Sequence, residues 1–298
     1  MMFINPNEFE LLQHLEVRGR TEPDDAPDAE PQSALRVTLR KLAKRHGDRI
    51  ALQALDLEIA AGEFVAVVGR AGSGKSTLLH LLAGQLAPSD EQGGVPSRSP
   101  LLFDNFPSWA PDSRVRLLQP DARLLPWKTV LHNVALGLPG TTQAAQALRQ
   151  AGLDGHGDDW PAQLTELQRQ RVALARALAR RPGLLLLDEP FKELDALSRL
   201  EAQQLLEDLW RQQGFTAVLA THDVAEAVAV ADRILVLDEG GVALDERVGL
   251  ARPRVRGSAA FAALEARVLR AALRQQDTPD ADRPLAPVIQ IRHLRLAV

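Results

Sequence analysis

Residues 64–77 read FVAVVGRAGSGKST: an apolar run, a glycine-spaced loop, then Lys-Ser-Thr heading a helical pattern. No other stretch constrains the fold as tightly. The spacing from Gly69 to Thr77 is G-x-x-x-x-G-K-[ST], placed between a strand and a helix, the context that gives this motif its meaning. Gly69, Gly72 and Gly74 let the backbone wrap a phosphate without Cβ clashes, and the N–H groups of Arg70, Ala71 and Ser73 complete the cradle. A helix beginning at the loop's end adds partial positive charge toward a polyanion. Lys75 is placed to reach β- and γ-phosphates, Ser76 to coordinate Mg²⁺, a hard cation that prefers oxygen, and Thr77 closes the motif.

Two further runs share the character of FVAVVG. GLLLLDE (183–189) and FTAVLATHD (215–223) are apolar and end in polar residues, as buried parallel strands do. Helical patterns are expected over Leu78–Leu86, Ala173–Ala179 and Ala196–Trp210. Strands alternating with helices imply an α/β layered fold, with ligands beyond the C-terminal strand ends. Asp188 and Glu189 close the second run. Alternation along a strand would point them to opposite sides, Asp188 toward the Mg²⁺ shell and Glu189 toward an attacking water as general base. His222 ends the third run, where an imidazole either senses a γ-phosphate or is structural.

The totals exclude several classes. A net charge of −4 argues against a nucleic-acid surface. The absence of cysteine removes disulfides and thiolate chemistry. No apolar run approaches the roughly 18–20 residues that cross a bilayer, and Met1–Glu10 lacks the basic and apolar regions of a signal peptide. Residues 1–34 read as a disordered acidic extension, Pro-rich over 19–33, with or without a role. Near the other end, residues 258–276 place Phe261, Leu264, Val268 and Leu269 on one helical face, expected to pack on their own domain, before a linker-like tail.

Taken together, GRAGSGKST, Gln119, RQRVALARALARRP, LLLLDEP, ELDALSR and LATHDVAEAV resemble the ATP-binding subunits of ABC transporters, in family order over residues 35–256. DARLLPWKTVLHNVALGL (121–138) and RPGLLLLDEP look like the importer branch for aliphatic sulfonates, nitrate and taurine, and GLARPRVRGSAAFAALEARVL resembles the C-terminal end of the aliphatic sulfonate members in particular. The resemblance implies a P-loop NTPase core with a parallel-rich sheet, an antiparallel β subdomain and a helical subdomain inserted at about 125–180, followed by a C-terminal helix and tail over 257–298. It implies an ATPase binding ATP and Mg²⁺, working as a homodimer under two membrane permease subunits fed by a periplasmic solute-binding protein. It would sit peripherally on the cytoplasmic face of the inner membrane.

Residue by residue, the resemblance makes Gln119 a Mg²⁺ contact and catalytic signal, Asp188 the metal ligand, Glu189 the base and His222 the switch histidine. Asp195 takes the intersubunit position, and His46 the place of an aromatic that stacks on adenine. Lys192 and Glu193 stand where small residues are usual, and Trp127 belongs either to the coupling surface or to the core. The soluble ABC proteins of repair or translation fit less well, because one phosphate loop occurs and no long heptad segment.

QLTELQRQR (163–171) falls where the family carries Leu-Ser-Gly-Gly-Gln, the segment that closes over ATP held by the other subunit. By itself, Thr165-Glu166-Leu167-Gln168 is a capping box heading a helix. Glu166, however, puts an anion where an incoming phosphate would lie, a repulsion of about 4 kcal/mol at about 4 Å and an effective dielectric of about 20. Arg169 or Arg171 can pair with it, while Leu167 adds bulk. Two expectations stay open: a hydrolysing transport ATPase, or an ATP-gated subunit of weak turnover.

Overall fold

The computed structural model describes residues 33–90 and 93–273. All but the end of the acidic extension, and the tail beyond 273, lie outside the described residues.

Ten strands form two sheets among the described residues. In the first, β1 (Val37–His46) pairs antiparallel with β2 (Arg49–Ile59) and with β4 (Leu101–Phe103), which pairs in turn with β5 (Phe106–Pro107). The second has six strands in the order β10-β9-β3-β8-β7-β6: β3 (Phe64–Val68), β6 (Val115–Leu118), β7 (Leu184–Asp188), β8 (Thr216–Thr221), β9 (Arg233–Asp238) and β10 (Gly241–Arg247). Every pairing in it is parallel except β9 with β10. All residues of β3, β7 and β8 are buried, which is why they read as unbroken apolar runs rather than as alternation.

Period-two geometry still sorts those side chains. Phe64, Ala66, Val68, Leu185 and Leu187 join one core, with α5 (Ala196–Gln213), α6 (Val224–Val230) and α7 (Ala259–Leu273). Val65, Val67, Leu184 and Leu186 face the other way, onto α1 (Lys75–Leu82) and the antiparallel sheet. A third core gathers Val130, Val134, Leu148, Leu153 and Leu164 from α2 (Val130–Val134), α3 (Thr142–Gln150) and the chain between them and α4 (Glu166–Leu178). Helix α4 serves two cores: Val172 and Ala175 enter this one, Ala173 and Leu174 the first.

Several element bounds differ from expectation. Helix α1 starts three residues before Leu78, because Gly74 caps it with φ 105° at the end of the glycine loop, and it ends at Leu82, before Gly84 turns left-handed. Helix α4 begins at Glu166, as the capping box implies, whereas α5 runs on past Trp210 to Gln213, where left-handed Gly214 ends it. On α7 the buried stripe is Phe261, Leu264, Val268 and Ala272. Leu269 is 44% exposed, since it stands about 80° around the helix from Phe261 while Ala272 returns to within about 20°.

Candidate functional site

The site grows from the C-terminal edge of the six-stranded sheet. Beyond Val68 the chain turns through Gly69–Gly74, tied by Ser73 N–H to Arg70 O (3.2 Å) and by Gly240 N–H to Ser73 O (3.1 Å). A Cβ on Gly69 would lie 2.4 Å from Leu237 O, and one on Gly74 2.6 Å from Ala51 O. Glycine is therefore demanded there by close backbone approach, and at Gly74 by the left-handed φ as well. Helix α1 has no side-chain cap and no acidic residue in its first turn, so its leading N–H groups are left for an outside acceptor.

Lys75 is buried, its Nζ donating to Gly69 O (2.7 Å) and Arg70 O (3.1 Å). Burial pushes its pKa down, opposed by Glu189 and Asp188. Ser76 Oγ donates to Asp188 Oδ1 at 3.1 Å. Asp188 is pushed up by burial, pulled back by the Ser76 hydrogen bond, and raised again by Glu189. A cation, Lys75, and an anion, Asp188, thus share a partly desolvated spot. A hard-oxygen pair, Ser76 and Asp188, fits Mg²⁺, and the bare helix end with Lys75 fits phosphate.

Glu189 lies one residue past β7. Its φ of 43° takes it out of the strand, so the side-to-side alternation expected for Asp188 and Glu189 does not apply; the left-handed turn, held by Glu189 N–H to Ala220 O (2.9 Å), separates them instead. Glu189 Oε2 is 3.3 Å from Nδ1 of His222, just beyond β8, and 3.8 Å from Lys192 Nζ.

An open cavity of about 480 Å³ joins Ala71, Gly72, Gly74, Lys75, Ser76, Thr77, Glu189 and His46. Arg49 and Ala51 also line it, and sequence reasoning missed both. The available signal was the Gly47-Asp48 turn, which pairs His46 with Arg49 across the β1–β2 hairpin. Gly69, Arg70 and Ser73 do not line the cavity. The Arg70 guanidinium instead donates to Leu273 O (3.1 Å) at the end of α7. Gln119 is one residue past β6, level with Asp188 by the β6–β7 register, and likewise stands outside the cavity.

Thr165, Glu166 and Gln168 are not brought to this cavity in the same chain. They head α4 as a complete capping box: Gln168 N–H donates to Thr165 Oγ1 (3.3 Å) and Thr165 N–H to Gln168 Oε1 (2.9 Å). Glu166 is paired, its Oε2 accepting from Arg169 Nη2 (2.5 Å) and Nε (3.0 Å), and Leu167 packs against the main core. The Gln170 side chain donates to Pro190 O, tying α4 to the turn after Glu189. Asp195 caps α5 through Leu197 N–H (3.0 Å) and Ser198 N–H (3.1 Å), and hydrogen bonds from Ser198 hold its pKa low. Trp127 is 69% exposed, which removes the core alternative. No helix among the described residues is long and apolar enough to cross a membrane.

Comparison with known proteins finds relatives over most of the chain. The ABC transporter family model matches residues 52–192. The aliphatic sulfonates import ATP-binding protein of Pseudomonas aeruginosa is 52% identical over 254 residues, 85% of this chain and 90% of the relative. That of Cupriavidus necator is 50% identical over 288 residues, 95% of this chain and 93% of the relative. Among solved structures, a dimeric ATP-binding cassette in a post-hydrolysis state bound to ADP and Pi superposes with TM-score 0.61 at 30% identity, covering 72% of this chain and 100% of that one. A component of a Clostridium perfringens ABC transporter complex does so with TM-score 0.63 at 28% identity, covering 71% and 88%.

Proposed function

Because this chain belongs to the ATP-binding subunits of ABC transporters, we propose that it hydrolyses ATP to drive import of aliphatic sulfonates, the cargo named for its relatives. The observation that carries the reading is the convergence of Lys75, Ser76, Asp188, Glu189 and His222 at one strand edge from three separate strand ends.

Triphosphate enters as substrate with its β- and γ-phosphates on the α1 N-terminus, where Lys75 exchanges two carbonyl oxygens for phosphate oxygens. Ser76 and Asp188, with Gln119, would hold Mg²⁺, which would supply charge neutralisation. Glu189 accepts a hydrogen bond from the attacking water, and His222, already in contact with Glu189, holds the far side of the γ-phosphate. His46 stacks on adenine. A second copy lays the α4 N-terminus, with Thr165, Glu166 and Gln168, and the Asp195 turn over the nucleotide. The dimer docks on two permease subunits at the cytoplasmic face, and a periplasmic binding protein delivers the solute.

Weak turnover would follow if Glu166 met the phosphates unneutralised; its pairing with Arg169 favours the hydrolysing reading. The test is MgATP binding and phosphate release by the purified chain. Lys75→Ala removes one member of a charge pair in a desolvated site, worth about 2–5 kcal/mol, so nucleotide affinity falls by at least an order of magnitude. Equal binding by the two proteins would sink the reading. Uptake of an alkanesulfonate against nitrate and taurine, in liposomes holding the cognate permease, decides the cargo.

A further inference from the structure

His222 has Thr221 before it and Asp223 after it, and both neighbours are fastened to one buried residue, Thr221 to the carboxyl of Glu226 and Asp223 to its backbone N–H. Thr221 Oγ1 donates to Glu226 Oε2 at 2.6 Å and accepts from Asp223 N–H at 3.0 Å. Asp223 Oδ1 accepts from Glu226 N–H at 3.1 Å. These bonds form a ring around the turn between β8 and α6. His222, outside the ring, leaves the turn toward Glu189.

Glu226 is 4% exposed, and its second oxygen, Oε1, has no hydrogen bond. Gln203 of α5 lies close enough to favour the charged form, yet without good hydrogen-bond geometry, and its own oxygen is taken by Arg256. Arg199, also of α5, is 3.5 Å from Asp223 Oδ2. Between Glu226 and the catalytic pair lies a cavity of about 20 Å³, room for one water, lined by Glu189, Lys192, Arg199, His222 and Glu226 among others. The charged groups facing Glu226 are thus Asp223 on its own helix, Arg199 on α5, Arg256 through Gln203, and Glu189, Lys192 and His222 across the cavity.

We propose that Glu226 is a positioning residue for His222: it closes the ring that fixes the β8–α6 turn, and the charge on its carboxyl sets how firmly that turn holds His222 against Glu189. The inference rests on the ATPase reading for its consequence in turnover, and on the hydrogen bonds and burial of Glu226 for its effect on His222. Burial raises the Glu226 pKa from 4.5 to about 7, with Asp223 adding to the rise and Thr221, Arg199 and Gln203 opposing it. A neutral carboxyl sits in the ring at ease. An ionised one meets Asp223 in a desolvated space and loosens it. The sign follows: a folded-state pKa above the unfolded value gives stability that is full below about 4.5 and lost as pH rises through about 7.

The experiment uses the full 298-residue chain as wild type, Glu226→Gln and Glu226→Ala. Imidazole NMR of His222 between pH 5.5 and 8.5 is expected to show, in wild type, a second inflection near 7 that Glu226→Gln lacks. Phosphate release by Glu226→Gln should stay within threefold of wild type at pH 6.5 and exceed it at pH 8. Glu226→Ala should lose at least tenfold in kcat with ATP affinity within threefold. The melting temperature of Glu226→Gln should rise above wild type at pH 8, the gap closing toward pH 5. A second inflection that persists in Glu226→Gln, or wild-type kcat in a folded Glu226→Ala protein, overturns the proposal. If Glu226→Ala does not fold, Glu226→Gln alone decides it. The NMR and melting arms need no nucleotide, so failure of the proposal is separable from failure of wild type to bind MgATP.

Discussion

Helices α1 and α4 both start at a loop of the proposed site, and they start in opposite ways. The first has Gly74 at its head, no side-chain cap and no acid in its first turn. The second has Thr165 and Gln168 satisfying each other and Glu166 satisfied by Arg169. One end is unfinished without an anion. The other is finished by its own side chains, and meets a phosphate with its acid already neutralised by Arg169. The difference teaches that an open helix end is a site by deficit, while a closed one must be judged by what its charges are already doing.

The sharpest way to break the contrast is to finish α1. Gly74→Ala places a Cβ at φ 105° and 2.6 Å from Ala51 O, a strain of about 1–3 kcal/mol before any shift of the loop. MgATP binding measured by calorimetry should be lost, and wild-type affinity in this variant would mean the loop is not the cradle.

Undoing the pairing at α4 should have the next largest effect. Arg169→Ala leaves Glu166 facing the second subunit's nucleotide uncompensated. Discounting the buried-site repulsion for a carboxylate about one-third exposed leaves about 1–2 kcal/mol, so turnover falls about tenfold. Adding Glu166→Ala should restore it, and a cycle without coupling would remove Glu166 from the interface. The smallest effect is Thr165→Ala, which opens the box at a cost of about 1 kcal/mol, read as a lower denaturation midpoint with ATP affinity unchanged.

Legibility followed range. The strand–loop–helix at 64–82 and the capping box at 165–168 were readable because each depends on residues within a few positions of one another. Arg49 at the loop cavity was not, because a hairpin had to fold over the loop to bring it there. The Glu189 turn was misread as strand, since nothing local marks a left-handed glutamate. Leu269 was misplaced by one helical step, because an alanine, Ala272, took the buried position an apolar count would give to leucine.

The sequence alone determined the layered α/β class and the phosphate loop, because strand burial and glycine spacing are written in consecutive residues. Packing alone brings Ser76 to Asp188 across 112 positions, leans His222 on Glu189, and seals Glu226 of α6 against α5 with one oxygen unbonded. Those facts depend on which sheet edges and helices pack together, and the solvation of a charge is fixed by neighbours that packing supplies.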